Sequence, residues 1–360
     1  MKKILLSIIL ISCLFFSCKK STTDESNSNP IMPKDSIITT IAGNGTYGYS
    51  GDGGLAINAQ FSYNGTYHVA VDKLGNIYVT DAANHCIRKI GSSGIISTIA
   101  GNGVSGFAGD GGLATLSRLN SPQGLTLDAA GNIYFCDALN YRIRKISAAG
   151  TISTIAGGGT SSLPNAGDGQ IATLASLNQP HDVAIDNNGN LLITDWGNHR
   201  VRKVSATTNI ISTIAGTGLL GNTSDGGLAV VAKVQYPYAI TVDASGNIFL
   251  SSSYGIKKID IATSSINTII GIGSTSVTSL KFNAIGDLLI ADYGTGLIWK
   301  YDKTGSLAKV AGGGNVLSIG DNGKPSLATL TYPTGIAVDA NDNIFIGDYG
   351  MGRIRKITVK

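Results

Sequence analysis

One unit recurs along this 360-residue chain and decides what the chain can fold into. It reads apolar stretch, Asp-x-x-Gly-Asn, apolar stretch, Asp-x-x-Asn-x-Arg, apolar-basic stretch, Gly, Ile-Ser-Thr-Ile-Ala-Gly, and then a long glycine loop. The residue opening its first turn is Asp72, Asp128, Asp186, Asp243, Asn283 and Asp339, at spacings of 56, 58, 57, 40 and 56 residues. Each unit has room for four short strands separated by turn residues, in the second unit 124–127, 133–136, 142–146 and 151–156. Four strands per radially repeated unit make a propeller blade. An open solenoid needs polar caps at both ends, and neither end carries one.

The ends fit together. The sixth unit stops at its third strand, 353–357, without its Ile-Ser-Thr-Ile-Ala-Gly strand. Residues 37–43, Ile-Ile-Thr-Thr-Ile-Ala-Gly, supply it from the other end of the chain and remove the open edge. The expectation is an all-β, six-bladed propeller over 37–360, its last blade closed by the N-terminal strand. Only 14% of residues are charged and glycine numbers 48, a composition suited to short strands and tight turns. The net charge is +4, and Lys2, Lys3, Lys19 and Lys20 sit near the N-terminus. The repeats therefore lack the electrostatic footprint of a nucleic-acid binder. The one glutamate is Glu25, so the repeats hold no glutamate to act as acid, base or metal ligand.

Ala70-Val71-Asp72, Gly75-Asn76-Ile77-Tyr78-Val79 and Asp81, together with the run from Asp195 to Val204, resemble NHL repeats. The loop Gly109-Asp110-Gly111-Gly112-Leu113-Ala114 is similar to loops in bacterial and teneurin-type members. The resemblance spans 37–360 and implies the propeller. For function it implies only a range: protein-binding platforms, RNA binders, sensor domains of membrane kinases, and a zinc-dependent peptidyl-amidoglycolate lyase. Fold alone does not choose among these.

Asp137 precedes Arg142 as Asp195 precedes Arg200 and Asp348 precedes Arg353, which predicts one ion pair bracing each blade. Cys86 and Leu297 break the pattern in blades 1 and 5, and Ser252 replaces the Asp in blade 4. The Gly-Asp-Gly loops offer one carboxylate each, at Asp52, Asp110, Asp168, Asp225 and Asp321, too few for calcium. They read as tight turns. Cys86 and Cys136 fall at different repeat positions and read as two buried thiols.

In a propeller the first strand of each blade lines the central channel, so the residues entering it ring the channel mouth on the top face. Tyr67-His68, Gln123-Gly124, His181-Asp182, Tyr238-Ala239, Thr278-Ser279 and Thr334-Gly335 fall at that level. The candidate ligand-binding residues are Tyr67, His68, Gln123, His181, Asp182, Tyr238 and Thr334. A metal reading exists beside this one: His68 and His181 with Asp182 as third ligand, where catalytic zinc takes three protein ligands. His85 and His199 read as solvated loop residues. The loop before blade 5, 271–277, is short, and blade 4 has lost residues from its second loop. Both deletions predict a notch flanked by Tyr238, Tyr254 and Tyr293, where exposed rings suit sugars or peptide side chains.

The N-terminus reads as a processing signal. Lys2 and Lys3 precede an apolar stretch, 4–17, too short to span a bilayer. It ends at Cys18, in the manner of a bacterial lipoprotein signal, with Cys13 as the other possible lipidation site. The expectation is a signal over 1–17, a lipidated tether over 18–36, and a propeller held at the bacterial envelope, on the outer membrane. The functional expectation is a recognition module without a cofactor that binds a glycan, peptide or envelope protein through its top face. The alternative is a zinc- or calcium-dependent enzyme of lyase or lactonase type at the channel mouth.

Overall fold

A computed structural model describes residues 33, 35–63, 65–159, 167–223, 225–271, 276–314 and 319–360. The signal, and the tether apart from residues 33, 35 and 36, lie outside the described residues, and with them Cys13 and Cys18. The strands form six antiparallel four-stranded sheets. Blade 2 is typical: Pro122–Leu127 inside, then Ile133–Asp137, Arg142–Ile146, and Ile152–Gly157 outside. Blade 6 takes its outer strand from the start of the chain. Ile37–Ala42 pairs with Arg353–Thr358, with Ile37 opposite Thr358 and Ala42 opposite Ile354. Apolar cores lie between successive blades. Ile143 and Cys136 of blade 2 meet Val183, Ile193 and Val204 of blade 3. Ala42 and Phe345 of blade 6 meet Val69, Val79 and Ile96 of blade 1. The closing junction is thus packed like the others.

The recurrent turn residues each have a job. Asp72 accepts hydrogen bonds from the backbone N–H of Leu74 and Asn76, both at 2.9 Å, and from the Asn76 amide at 2.7 Å. That carboxylate fixes the hairpin, and Gly75 takes its left-handed position at φ 79°. In the second turn, Asp81 accepts from the Ser62 N–H and the Asn84 amide, both at 2.9 Å.

The ion pairs depart from the sequence expectation. Asp137 lies opposite Arg142 in register, but its carboxylate pairs with Arg144 at 3.2 Å. Arg142 instead donates to the Asn140 carbonyl at 2.6 Å and stacks over Phe107. The reason is burial. Arg142 is half-buried at the strand start, whereas the Arg144 side chain is wholly buried and needs its charge balanced. A second carboxylate reaches it from the glycine loop, Asp110 at 2.7 Å. The same clamp recurs as Asp52–Arg88–Asp81, Asp168–Arg202–Asp195 and Asp321–Arg355–Asp348. Blade 1 keeps the brace although Cys86 stands where an Arg was expected. The loop carboxylates therefore do more than shape turns: they lock each loop to the third strand.

Blades 4 and 5 change as a set. Lys257 replaces the Arg in blade 4 and pairs loosely with Asp225 at 3.6 Å, while Ser252 stands where the buried Asp would be. Trp299 occupies the Arg position in blade 5, whose preceding loop has no Asp. Cys86 and Cys136 are buried and unpaired with each other.

The clamp separates two arginines two residues apart. Arg144→Ala leaves two carboxylates facing an empty site and is expected to cost about 3–5 kcal/mol of stability. Arg142→Ala removes a stacking contact and is expected to cost about 1 kcal/mol. Denaturant unfolding of the two variants checks this; equal losses would return the brace to Arg142.

Candidate functional site

The inner strands crowd the channel. A Cβ on Gly124 would collide with the Asp182 carboxylate, and one on Gly335 with the backbone at Tyr67 and His68. Hydroxyls on the second strands tie blade to blade. Thr194 accepts the Asp182 N–H at 2.8 Å and donates to the Tyr238 carbonyl at 2.9 Å. Ser251 accepts the Ala239 N–H at 2.9 Å and donates to the Val277 carbonyl at 3.0 Å.

The expected mouth residues divide in two. Tyr67 and Thr334 are fully buried. The Tyr67 hydroxyl donates to the Ser62 carbonyl at 2.6 Å, and its N–H donates to the Thr334 hydroxyl at 3.0 Å. They hold the blade 6–1 junction and offer a ligand no surface. His68 is also buried, with no partner at Nε2 among the described residues. Burial holds its imidazole down at about 3, helped by His181 and Lys281 nearby. Asp182 accepts the N–H groups of Val183 at 2.9 Å and Ile240 at 3.0 Å. Burial pushes it up to about 6 against the opposing charge of Lys281 and those two donors. Each of its oxygens accepts one backbone N–H. Among the described residues no three His, Cys or acidic side chains converge on a common point.

Of the remaining residues, Tyr238 and Gln123 line cavities and His181 packs beside Tyr238. His181 lies against the Tyr238 ring at 4.2 Å and edge-on to Trp196 at 5.3 Å, and burial lowers its imidazole to about 4. Tyr238 lines a cavity of about 300 Å³ with Trp196, Tyr236, Ser251, Ser252, Ser253 and Val277. Gln123 and Tyr293 line a second, of about 290 Å³, with Gly65, Thr66, Ser121 and Tyr349. Gln123 accepts from the Thr66 hydroxyl at 2.5 Å. Tyr254 lies apart, 43% exposed and outside both linings. Residues 272–275 of the short loop lie outside the described residues, so the expected notch is seen only through its neighbours.

Sequence reasoning missed Trp196, Tyr236, Tyr332 and Tyr349. A signal for two of them was present. Ser121, Gln179, Tyr236 and Tyr332 each precede a proline at the entry to a blade, and all four are left-handed, at φ 53°, 47°, 48° and 56°. A non-glycine residue held there costs about 1–3 kcal/mol, and such strain gathers at functional sites. His85 and His199 also differ from expectation. Each is half-buried, and its Nδ1 accepts the N–H of a strained residue, Ser121 or Tyr236, at 3.3 Å. They brace the turns that carry the mouth.

Comparisons with known proteins agree with this architecture. The NHL repeat family matches residues 69–90, 177–204 and 330–357, and the teneurin NHL domain family matches 103–164. The chain therefore carries NHL repeats and closes them into a six-bladed propeller, a fold that is commonly a binding module. Teneurin-1 of Gallus gallus is 27% identical over 317 residues, covering 81% of this chain. The chain spans 10% of that relative's length. An auxiliary nutrient binding protein from Bacteroides ovatus is similar in fold at 13% identity and a TM-score of 0.61, covering 91% of this chain and 77% of its own. A virginiamycin B lyase from Staphylococcus aureus is similar at 16% identity and a TM-score of 0.52, covering 84% of each. At such identities the likeness is one of fold alone.

The histidines give the fold a pH signature. Their folded pKa values lie below the unfolded value of about 6.5, so they stabilise the protein fully above that pH. The contribution is lost as pH falls from about 6.5 toward 3 for His68 and toward 4 for His181. Asp182 acts in the opposite sense, its raised value favouring the fold as pH falls below about 6. His68→Gln is therefore expected to flatten the acid limb of the stability profile. Melting midpoints from pH 7 to 4 measure this, and an unchanged slope would count against a neutral buried His68.

Proposed function

We propose that this protein is a recognition module that binds its ligand at the channel mouth on the top face and is held at the bacterial envelope by a lipid on Cys18. The observation that carries the binding reading is the pair of small, ring-lined cavities there. The bracing residues are the same in four of the six blades, whereas the mouth residues differ from blade to blade: Gln123, His181, Tyr238 and Thr278 occupy one repeat position. Repetition serves the scaffold, and departures from it define one asymmetric site. The cavities, near 300 Å³, sit at the low end of ordinary ligand pockets and suit a small ligand or a single protruding group. The channel groups favour binding over catalysis. Asp182 accepts two backbone N–H groups, and neither cavity lining holds a histidine, cysteine, carboxylate or basic side chain.

A thermal-shift screen with glycans, peptides and envelope extracts tests this, since a ligand at a hundred times its Kd adds about 2.7 kcal/mol. One ligand class is expected to raise the melting midpoint, and Trp196→Ala is expected to abolish the rise. A rise that survives Trp196→Ala and Tyr238→Ala would move the site elsewhere. For anchorage, Cys18→Ser is expected to shift the protein from the membrane to the soluble fraction. Continued membrane partitioning would point to Cys13 or to a protein partner.

A further inference from the structure

We infer that the ligand is an uncharged oligosaccharide, gripped by two aromatic walls that stand on either side of a serine-lined trough at the junction of blades 4 and 5. This rests on the binding reading above and names its ligand class.

The walls occupy equivalent places in the repeat. At the junction of blades 3 and 4, Trp196 from a second-strand loop packs on Tyr236 from the next blade's entry, with centroids at 4.6 Å and planes at 31°. At the junction of blades 5 and 6, Tyr293 packs on Tyr332 at 4.6 Å and 21°. The corresponding residues at the junction between them are Ser253 and Ser276. Rings, hydroxyls and rings therefore follow one another around the mouth. Tyr293 is fixed beside the trough by its N–H, which donates to the Ser276 carbonyl at 2.8 Å. It lines the second cavity, while Val277, next to Ser276, lines the first. Tyr293 thus belongs to one cavity and is hydrogen-bonded to the residue before a lining residue of the other.

Charge chooses the ligand. No Asp, Glu, Lys or Arg lines either cavity. An acidic glycan or a charged peptide would lose hydration there without an ionic partner. A pyranose presents C–H faces to flat rings and hydroxyls to groups such as Ser252, Ser253, Thr66 and Gln123. Flat rings offer that contact area at little conformational cost because the backbone beneath Tyr236 and Tyr332 is already fixed in the left-handed region. Rings and hydroxyl residues make up most of both linings, with Val277, Gly65 and Gln123 completing them.

Trp196 provides the readout. Neutral cello-, xylo-, manno-, galacto- and laminari-oligosaccharides are titrated against the full-length protein and followed by tryptophan fluorescence, beside polygalacturonate and a random peptide library. One neutral series is expected to give a saturable change that is insensitive to salt, as an uncharged interaction must be. Tyr236→Ala and Tyr293→Ala are each expected to weaken it about tenfold or more. Tyr141→Asn, on another junction, is expected to leave it unchanged. Tyr236→Ala relaxes a strained turn, so Ser253→Trp, which fills the trough while leaving both walls, is the companion variant and is expected to abolish binding with the melting midpoint kept. Binding by a peptide or by polygalacturonate, lost in Ser253→Trp, would overturn the sugar assignment and keep the recognition reading. Failure of every probe to bind would overturn both, as would sugar binding that Ser253→Trp leaves intact.

Discussion

A buried guanidinium held between two carboxylates is the interaction on which the blades depend. Arg144 has no exposed side-chain surface, yet one partner comes from its own blade and the other from the loop that delivers the chain into that blade. A charge in that position is tolerable only when both partners arrive, because an unpaired buried ion is strongly destabilising. The clamp therefore makes the long glycine loop obligatory. It also accounts for what happens when the loop goes. In blade 5 the loop shortens and a neutral Trp299 takes the arginine's place. In blade 4 the inner Asp becomes Ser252 and the arginine becomes Lys257, whose flexible stem still reaches Asp225. The guanidinium is present only where both carboxylates are: blade 5 keeps Asp292 and blade 4 keeps Asp225, but neither blade has the arginine.

The same coupling shapes the mouth. Blades that keep the clamp also keep the long glycine loop that supplies its outer carboxylate. The weakening of the brace in blades 4 and 5 coincides with the serine trough, and the flat rings stand at its margins. Strained turns before Pro237 and Pro333 hold Tyr236 and Tyr332, and the imidazole of His199 steadies the first of them. Rigidity is concentrated under the rings, where a ligand would profit from it.

The fold was legible because a repeat reports its strands several times over, so the turn residues Asp72 to Asp339 and the borrowed strand at 37–42 could be placed without ambiguity. The ion pairs were misread by two residues. Sequence proximity favours Arg142, and burial, which selects Arg144, depends on the neighbouring blade and is invisible in a single strand. At the mouth, the rule that the first strand lines the channel found His181, Tyr238 and Gln123. It also picked Tyr67 and Thr334, which turn inward because the blade 6–1 junction packs so closely at Gly335. Trp196 and Tyr349 stayed hidden because they come from the second loop, which that rule does not consult. The backbone strain at Tyr236 and Tyr332 was foreshadowed only by the proline that follows each.

The closing strand sets a condition on how this protein comes into being. Ile37 pairs with Thr358, a separation of 358 − 37 = 321 residues. During synthesis the first strand emerges on the order of half a minute before its partner exists. Until then its apolar residues Ile38 and Ala42 have no blade to join, and the last blade has no outer strand. Ring completion is thus a single late event with a high contact order, and everything before it is an open arc with two sticky edges. A chain interrupted anywhere before Arg353 forfeits the seal as well as its missing part, which makes the propeller intolerant of truncation at either end.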